Sequence, residues 1–262
     1  MVEILRPKSD QGAPEIRVPR LCHQAYNSPA MSAIDDLLHE IFDSRQTPLA
    51  REFEGWLRGS RRYQAFAAAY RAKIRAKLRN AHPDGGLADV RAELETAALL
   101  LGEEQFAVAY ETYAARKQRG PDFTVTFRTH TPFNVEVRRV RGGEEEDDEA
   151  RAARLAAVLL DKVGQMPPGI ANLLWLIVDE EIAAEDVDSA AVGLVRAAER
   201  KEEEFFTRRG FDSAADFLRQ YARLSAVALR RPSEIALSLN PLARHKLPPA
   251  IAAAIERIHP DR

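Results

Sequence analysis

The chain has 262 residues, with 38 Lys and Arg against 40 Asp and Glu and a single cysteine, Cys22. That length accommodates one large domain, or a medium domain with an extension. The near-neutral charge excludes a strong overall pull toward nucleic acid or an anionic membrane. The lone cysteine excludes an internal disulfide framework and suits a reducing cytoplasm.

The start, "MVEILRPKSDQG", lacks the basic and apolar regions of a signal peptide. Pro7, Pro14, Pro19 and Pro29 make the first thirty or so residues an arm rather than a helix. Ile34, Leu37, Leu38 and Ile41 then fall at helical spacing behind Ser32. "TPLAREFEGWLRGS" predicts a second helix opened by Thr47 and Pro48. A third, "SRRYQAFAAAYRAKIRAKLRN", carries Tyr63, Phe66, Tyr70, Ile74 and Leu78 on one stripe. From Arg58 to Arg79 it contains eight basic residues and no acidic one. This is either the solvated face of a core helix or a surface for phosphates, in which case Arg61, Arg62, Arg71, Lys73, Arg75 and Lys77 are its contacts.

After the turn "HPDGG", "LADVRAELETAALLLG" predicts an amphipathic helix stopped by Gly102. The period then changes. "EQFAVAYETY", "DFTVTFR" and "FNVEVRRV" each alternate apolar and polar residues and predict three consecutive short strands. The acidic run "EEEDDE" favours the start of a helix from Ala150 to about Gly164. "IANLLWLIVDEE" is apolar without alternation, as in a strand buried on both faces, and its apolar core from Ile170 to Val178 falls short of the ~20 residues needed to cross a bilayer. One long helix is expected over "EDVDSAAVGLVRAAERKEEEFFTRRG", a shorter one over "SAADFLRQYARL", a strand at "SAVALR" and a last helix at "LPPAIAAAIERI". The division this suggests is an arm and helical extension over 1–85 and a mixed α/β domain over 86–262.

Charge inside the strands is the informative feature. In "FNVEVRRV", Val135 and Val137 face one side, while Asn134, Glu136 and Arg138 face the other. Asp122 opens the preceding strand, behind Pro121, which a strand tolerates at its first position. Pairing of the two strands lets Asp122 and Glu136 converge, and a divalent cation relieves their repulsion. Oxygen ligands favour magnesium or manganese over zinc, and no His or Cys spacing suggests zinc. A cation two residues after the glutamate can hold an attacking water or steady charge on phosphorus, so the set describes phosphodiester hydrolysis. His130, in the turn "THTP", reads as a turn residue, and Glu111 as a salt-bridge partner near the same rim. Trp56 and Trp175 read as core, and Arg244, His245 and Lys246 as a small basic patch.

The order helix, three strands, helix, strand, with "PD" on the second strand and "EVR" on the third, resembles the PD-(D/E)xK nuclease superfamily over about Leu87 to Asp179. Together with "YRAKIRAKLR" and "NPLARHKLP", the segment is similar to a bacterial group of uncharacterised nucleases. The resemblance implies a restriction-endonuclease-like core, Asp122 and Glu136 as metal ligands with the Val137 carbonyl, and Mg2+ or Mn2+ as cofactor. It also implies a helix glutamate in the site, Glu93 or Glu95, of which Glu93 better fits the pattern, and DNA as substrate. Arg138 stands where the superfamily has lysine. A guanidinium stabilises charge but cannot serve as a base, so the alternatives are a deoxyribonuclease and a nuclease-fold module that only binds nucleic acid or a protein. A cytoplasmic protein, free or as a homodimer, and no membrane association complete the expectation.

Overall fold

The computed structural model describes residues 33–43, 47–82, 84–113, 120–140, 147–178 and 182–260. The expected N-terminal arm and Cys22 lie outside the described residues. Four helices come first: α1 (Ala33–Phe42), α2 (Pro48–Gly59), α3 (Arg61–Asn80) and α4 (Gly86–Gly102). Each junction has a local cause. Thr47 accepts the Ala50 N–H at 3.1 Å ahead of Pro48, and Ser60 both ends α2 and caps α3 by accepting the Tyr63 N–H at 3.2 Å. Before α4, Gly85 takes φ 105°, a conformation that costs glycine little.

Strands β1 (Phe106–Tyr110), β2 (Phe123–Phe127) and β3 (Thr131–Arg139) form an antiparallel meander. Helix α5 (Asp148–Val163), capped by Asp147, returns the chain to β4 (Ala171–Ile177), parallel to β3. Next come α6 (Ala184–Glu199), α7 (Glu203–Thr207), α8 (Ala214–Tyr221), β5 (Leu224–Arg230) parallel to β4, β6 (Ile235–Leu239) antiparallel to β5, and α9 (Pro249–Glu256). The result is a mixed α/β fold on a six-stranded sheet in the order β1-β2-β3-β4-β5-β6.

Two corrections concern the second half. The single helix expected over 185–210 is two, because Lys201 adopts φ 56° and breaks the ladder between α6 and α7. Strand β6 was not expected; it pairs with β5 from Ile235 to Leu239.

Alternate residues of the inner strands feed two cores, as the two-residue period of a strand requires. Phe133, Val135, Leu173, Trp175, Ala226 and Ala228 pack with α1–α4 and α9. Leu174, Leu176, Val227 and Leu229 pack with α5–α8. The expected boundary at residue 85 coincides with no break in packing: Phe53, Leu57, Tyr63 and Phe66, all from the N-terminal helices, share a core with Phe106 and Phe123. Ring contacts such as Phe66 to Phe123, at 6.5 Å between centroids, join α3 directly to the sheet.

Candidate active site

The site forms where β1 ends, β2 begins and β3 nears its end, the side of the sheet at which the parallel strands present their carboxyl ends. Open α/β sheets commonly bind ligands outside those ends. Phe123 pairs with Val135 and both enter the α3–α4 core, so Asp122 and Glu136 lie opposite each other on the other face. Asp122 folds back so that its Oδ2 accepts the Val137 N–H at 2.9 Å.

Pro121 has a part in this. Extending the register sets Pro121 opposite Val137, at a position where two residues would normally exchange both backbone hydrogen bonds. Proline has no N–H to give, so it offers the Val137 carbonyl nothing, and the Asp122 side chain takes the Val137 N–H instead. The Pro-Asp pair thereby opens the end of the ladder and leaves a backbone acceptor beside a carboxylate.

A cavity of about 140 Å³ joins Glu93, Asp122, Glu136, Val137, Arg138 and Lys162. Glu93 arrives from α4 on the opposite face. Its neighbour Glu95 is turned away, to Arg91 at 3.1 Å and to Arg230, so of the two helix glutamates it is Glu93 that lines the cavity. Glu136 is 6% exposed, and its Oε1 accepts from Lys162 Nζ of α5 at 2.8 Å. Arg138, two residues on, is exposed and has no ion pair or side-chain hydrogen bond among the described residues.

Two cations that the sequence pattern did not place among the carboxylates therefore enter the site, one of them expected as a phosphate contact. Lys162 is one; Lys77, at the end of α3, is the other. Its Nζ lies 2.5 Å from Glu93, 2.8 Å from Glu111 and 3.9 Å from Asp122. The Tyr110 hydroxyl donates to Glu93 at 2.5 Å. A signal for both lysines was present. Lys162 falls seven residues after Leu155 and three after Leu159, on the buried stripe of α5; Lys77 extends the stripe Tyr70–Ile74 in the same way. A charge on an apolar stripe marks a partner in the interior.

The electrostatics follow from crowding. Burial, and then the charge of Glu136, push the Asp122 carboxyl up to about 7, against the opposing pull of the Val137 N–H, Lys77 and Lys162. Burial, and then Asp122, push Glu93 up to about 7, opposed by Lys77 and the Tyr110 hydroxyl. Burial opposes the charge on Lys77, but Glu93, Glu111 and Asp122 outweigh it and raise the ammonium to about 12. Burial, and then Glu93, raise the Tyr110 phenol.

The rest of the basic helix is largely engaged by the protein itself. Arg62 donates to the carbonyls of Leu101 at 2.7 Å, Glu103 at 2.8 Å and Phe106, closing the C-terminal end of α4. Lys73 donates to the Tyr110 and Glu111 carbonyls, Arg71 pairs with Glu40 at 2.9 Å, and Arg75 pairs with Asp43. Arg61 alone of the six expected phosphate contacts is exposed without an ion pair or side-chain hydrogen bond among the described residues. His130 sits in the β2–β3 turn, at the opposite end of the hairpin from Asp122.

Among the described residues, no three His, Cys, Asp or Glu side chains stand together as a ready metal-binding group, and no helix is long and apolar enough to cross a membrane. No protein-family model, curated protein or solved structure matches the chain.

Proposed function

We propose that this protein is a metal-dependent deoxyribonuclease of the PD-(D/E)xK type, built on a restriction-endonuclease-like core of α4, β1–β3, α5 and β4. The observation that carries the reading is the convergence of Asp122 and Glu136 from paired strands on one small cavity, with an ammonium, Lys162, already bonded to Glu136. Two buried carboxylates side by side raise each other's cost of ionisation, and a divalent cation removes that cost.

The donor set suits Mg2+ or Mn2+. Magnesium is commonly held by one or two carboxylates with several waters retained, so a site with fewer than three acidic ligands is ordinary for it. Asp122 and Glu136 would hold the ion with the Val137 carbonyl, which Pro121 leaves without a ladder donor. Bound there, it supplies Lewis-acid stabilisation of charge on a phosphoryl oxygen.

The chain's own groups do the rest. Lys162 Nζ pairs with Glu136 and presents further N–H donors to the cavity, toward a phosphate oxygen or an attacking water. It thus supplies the lysine that the third strand lacks, and Arg138 is released from that role. Glu93, raised to about 7, is suited to accept a proton near neutral pH. Lys77 and Tyr110 hold its carboxylate in place.

Cleavage of plasmid and single-stranded DNA with Mg2+ or Mn2+ tests the reading. Glu136→Ala is expected to lower the rate by roughly 10³-fold, the scale of losing one strong transition-state contact. Equal rates in wild type and Glu136→Ala would end the assignment.

One observation favours a second reading, a nuclease-fold module that binds without cutting: Lys77 and Lys162 already neutralise much of the acidic cluster from within. DNA binding that persists with no uptake of Mg2+ or Mn2+ at millimolar concentration would select it.

A further inference from the structure

A second, wider cleft of about 410 Å³ adjoins the acidic cavity around the end of β3. Asp89, Arg138 and Arg139 line both, so the two spaces share a wall. Arg154 of α5 and Asp84 complete the charged part of the wider wall. Its balance is the reverse of the inner cavity's: three arginines against two aspartates, where the inner space has Asp89, Glu93, Asp122 and Glu136 against Arg138, Arg139 and Lys162. Arg139 is partly committed to Asp89, at 3.5 Å. Arg138 is not committed to any protein group among the described residues.

Resting on the nuclease reading above, we propose that this cleft is a subsite for the backbone phosphate next to the scissile one, with Arg138 as its principal contact. Two residues along a strand span ~6.6 Å, so Arg138 stands that far beyond Glu136 on the same face. A nucleic-acid strand rises ~3.4 Å per nucleotide, which places the guanidinium within one to two nucleotides of the reacting phosphate. Arginine suits such a contact, because a guanidinium binds phosphate oxygens in a bidentate fork and remains charged at any working pH. The arginine in the triplet "EVR" is then a substrate-binding residue, while Lys162 supplies the ammonium beside the metal ligands.

The test is fluorescence-anisotropy binding of a labelled single-stranded oligonucleotide in EDTA, where no turnover occurs, across a salt series. Arg138→Ala is expected to weaken binding roughly 5- to 10-fold at low salt and to reduce the slope of log K against log salt by about 0.7, the share of one phosphate contact on a single strand. Arg138→Lys restores the slope and only part of the affinity. Arg200→Ala, also exposed but at the far end of the sixteen-residue α6 and so ~24 Å along that helix from the carboxyl ends of the parallel strands, serves as the comparison and leaves both nearly unchanged. Wild-type affinity and slope in Arg138→Ala would overturn the subsite, as would a wild type that binds no oligonucleotide. Displacement of the probe by an equal concentration of mononucleotide would overturn its placement along a strand. Failure of the nuclease reading looks different: Arg138-dependent binding with no cleavage under any divalent cation keeps the subsite and removes the hydrolase.

Discussion

Asn134 and Glu136 are two residues apart on the same face of β3, both buried, and they belong to opposite kinds of polar interior. Around Asn134 every group is neutral and answered. Thr112 and Thr124 share a hydrogen bond at 2.7 Å, Thr124 donates to Asn134 at 3.1 Å, and Asn134 donates to Asn172 at 2.9 Å. Asn172 in turn holds the carbonyls of Pro167, Ile170 and Arg223, and its N–H reaches Ser225. This row ties β2 to β5. Around Glu136 the groups are charged and crowded, and Asp122 and Glu93 are each pushed up to about 7. A satisfied polar network fixes one structure; a cluster of like charges held together by the fold costs stability, which Lys77 and Lys162 offset in part. The contrast separates the part of the sheet that serves stability from the part to which the proposed function assigns the chemistry.

The largest expected effect breaks the neutral row. Asn172→Ala strands three carbonyls and the Asn134 amide, and urea unfolding should show a loss of roughly 3–5 kcal/mol. A loss below about 1 kcal/mol would mean that the row does not organise the sheet.

In the charged cluster a deletion should do the reverse. Asp122 and Glu93 titrate higher in the folded chain than in the unfolded one, so their contribution is full below about pH 4 and is lost as pH rises through about 7. Without added metal, wild type should therefore lose roughly 2–4 kcal/mol between those limits relative to Asp122→Asn, which removes the strongest titration. At pH 8 Asp122→Asn should be the more stable of the two, as measured by denaturant midpoints. Equal pH profiles would refute the crowding.

Divalent cation should then replace what charge repulsion removes. At a hundredfold excess over its dissociation constant, Mg2+ or Mn2+ should stabilise wild type by about 2.7 kcal/mol at pH 8 and leave Asp122→Asn unmoved. The smallest effect sharpens the neutral side: Thr124→Val removes one donor from the row and should cost about 1 kcal/mol, with cleavage unchanged.

Much of this was legible in the residues. Period and caps predict α1–α5 and β1–β4 closely, because Thr47, Ser60 and the alternations in "FTVTF" and "FNVEV" act locally. The facing of Asp122 and Glu136 followed from the two-residue period of strands. What the sequence did not disclose is long-range. Lys77 and Lys162 meet the carboxylates from helices 16 and 26 positions away from the residues they touch, and only their misfit on apolar stripes hinted at it. The short β6, five residues long and following a Pro-Ser pair, has too little alternation to declare itself and is held by β5. The charge of α3 read as a solvated face or a surface for phosphates, whereas Arg75 and Lys77 are paired within the chain, with Asp43, Glu93 and Glu111.

The most direct test of the proposed metal site is a Mn2+ titration followed by electron paramagnetic resonance at pH 8. Wild type should show saturable binding that is lost in both Asp122→Asn and Glu136→Gln and retained in Arg138→Ala. Binding that is absent from wild type at millimolar Mn2+, or unchanged in Asp122→Asn, would contradict the account.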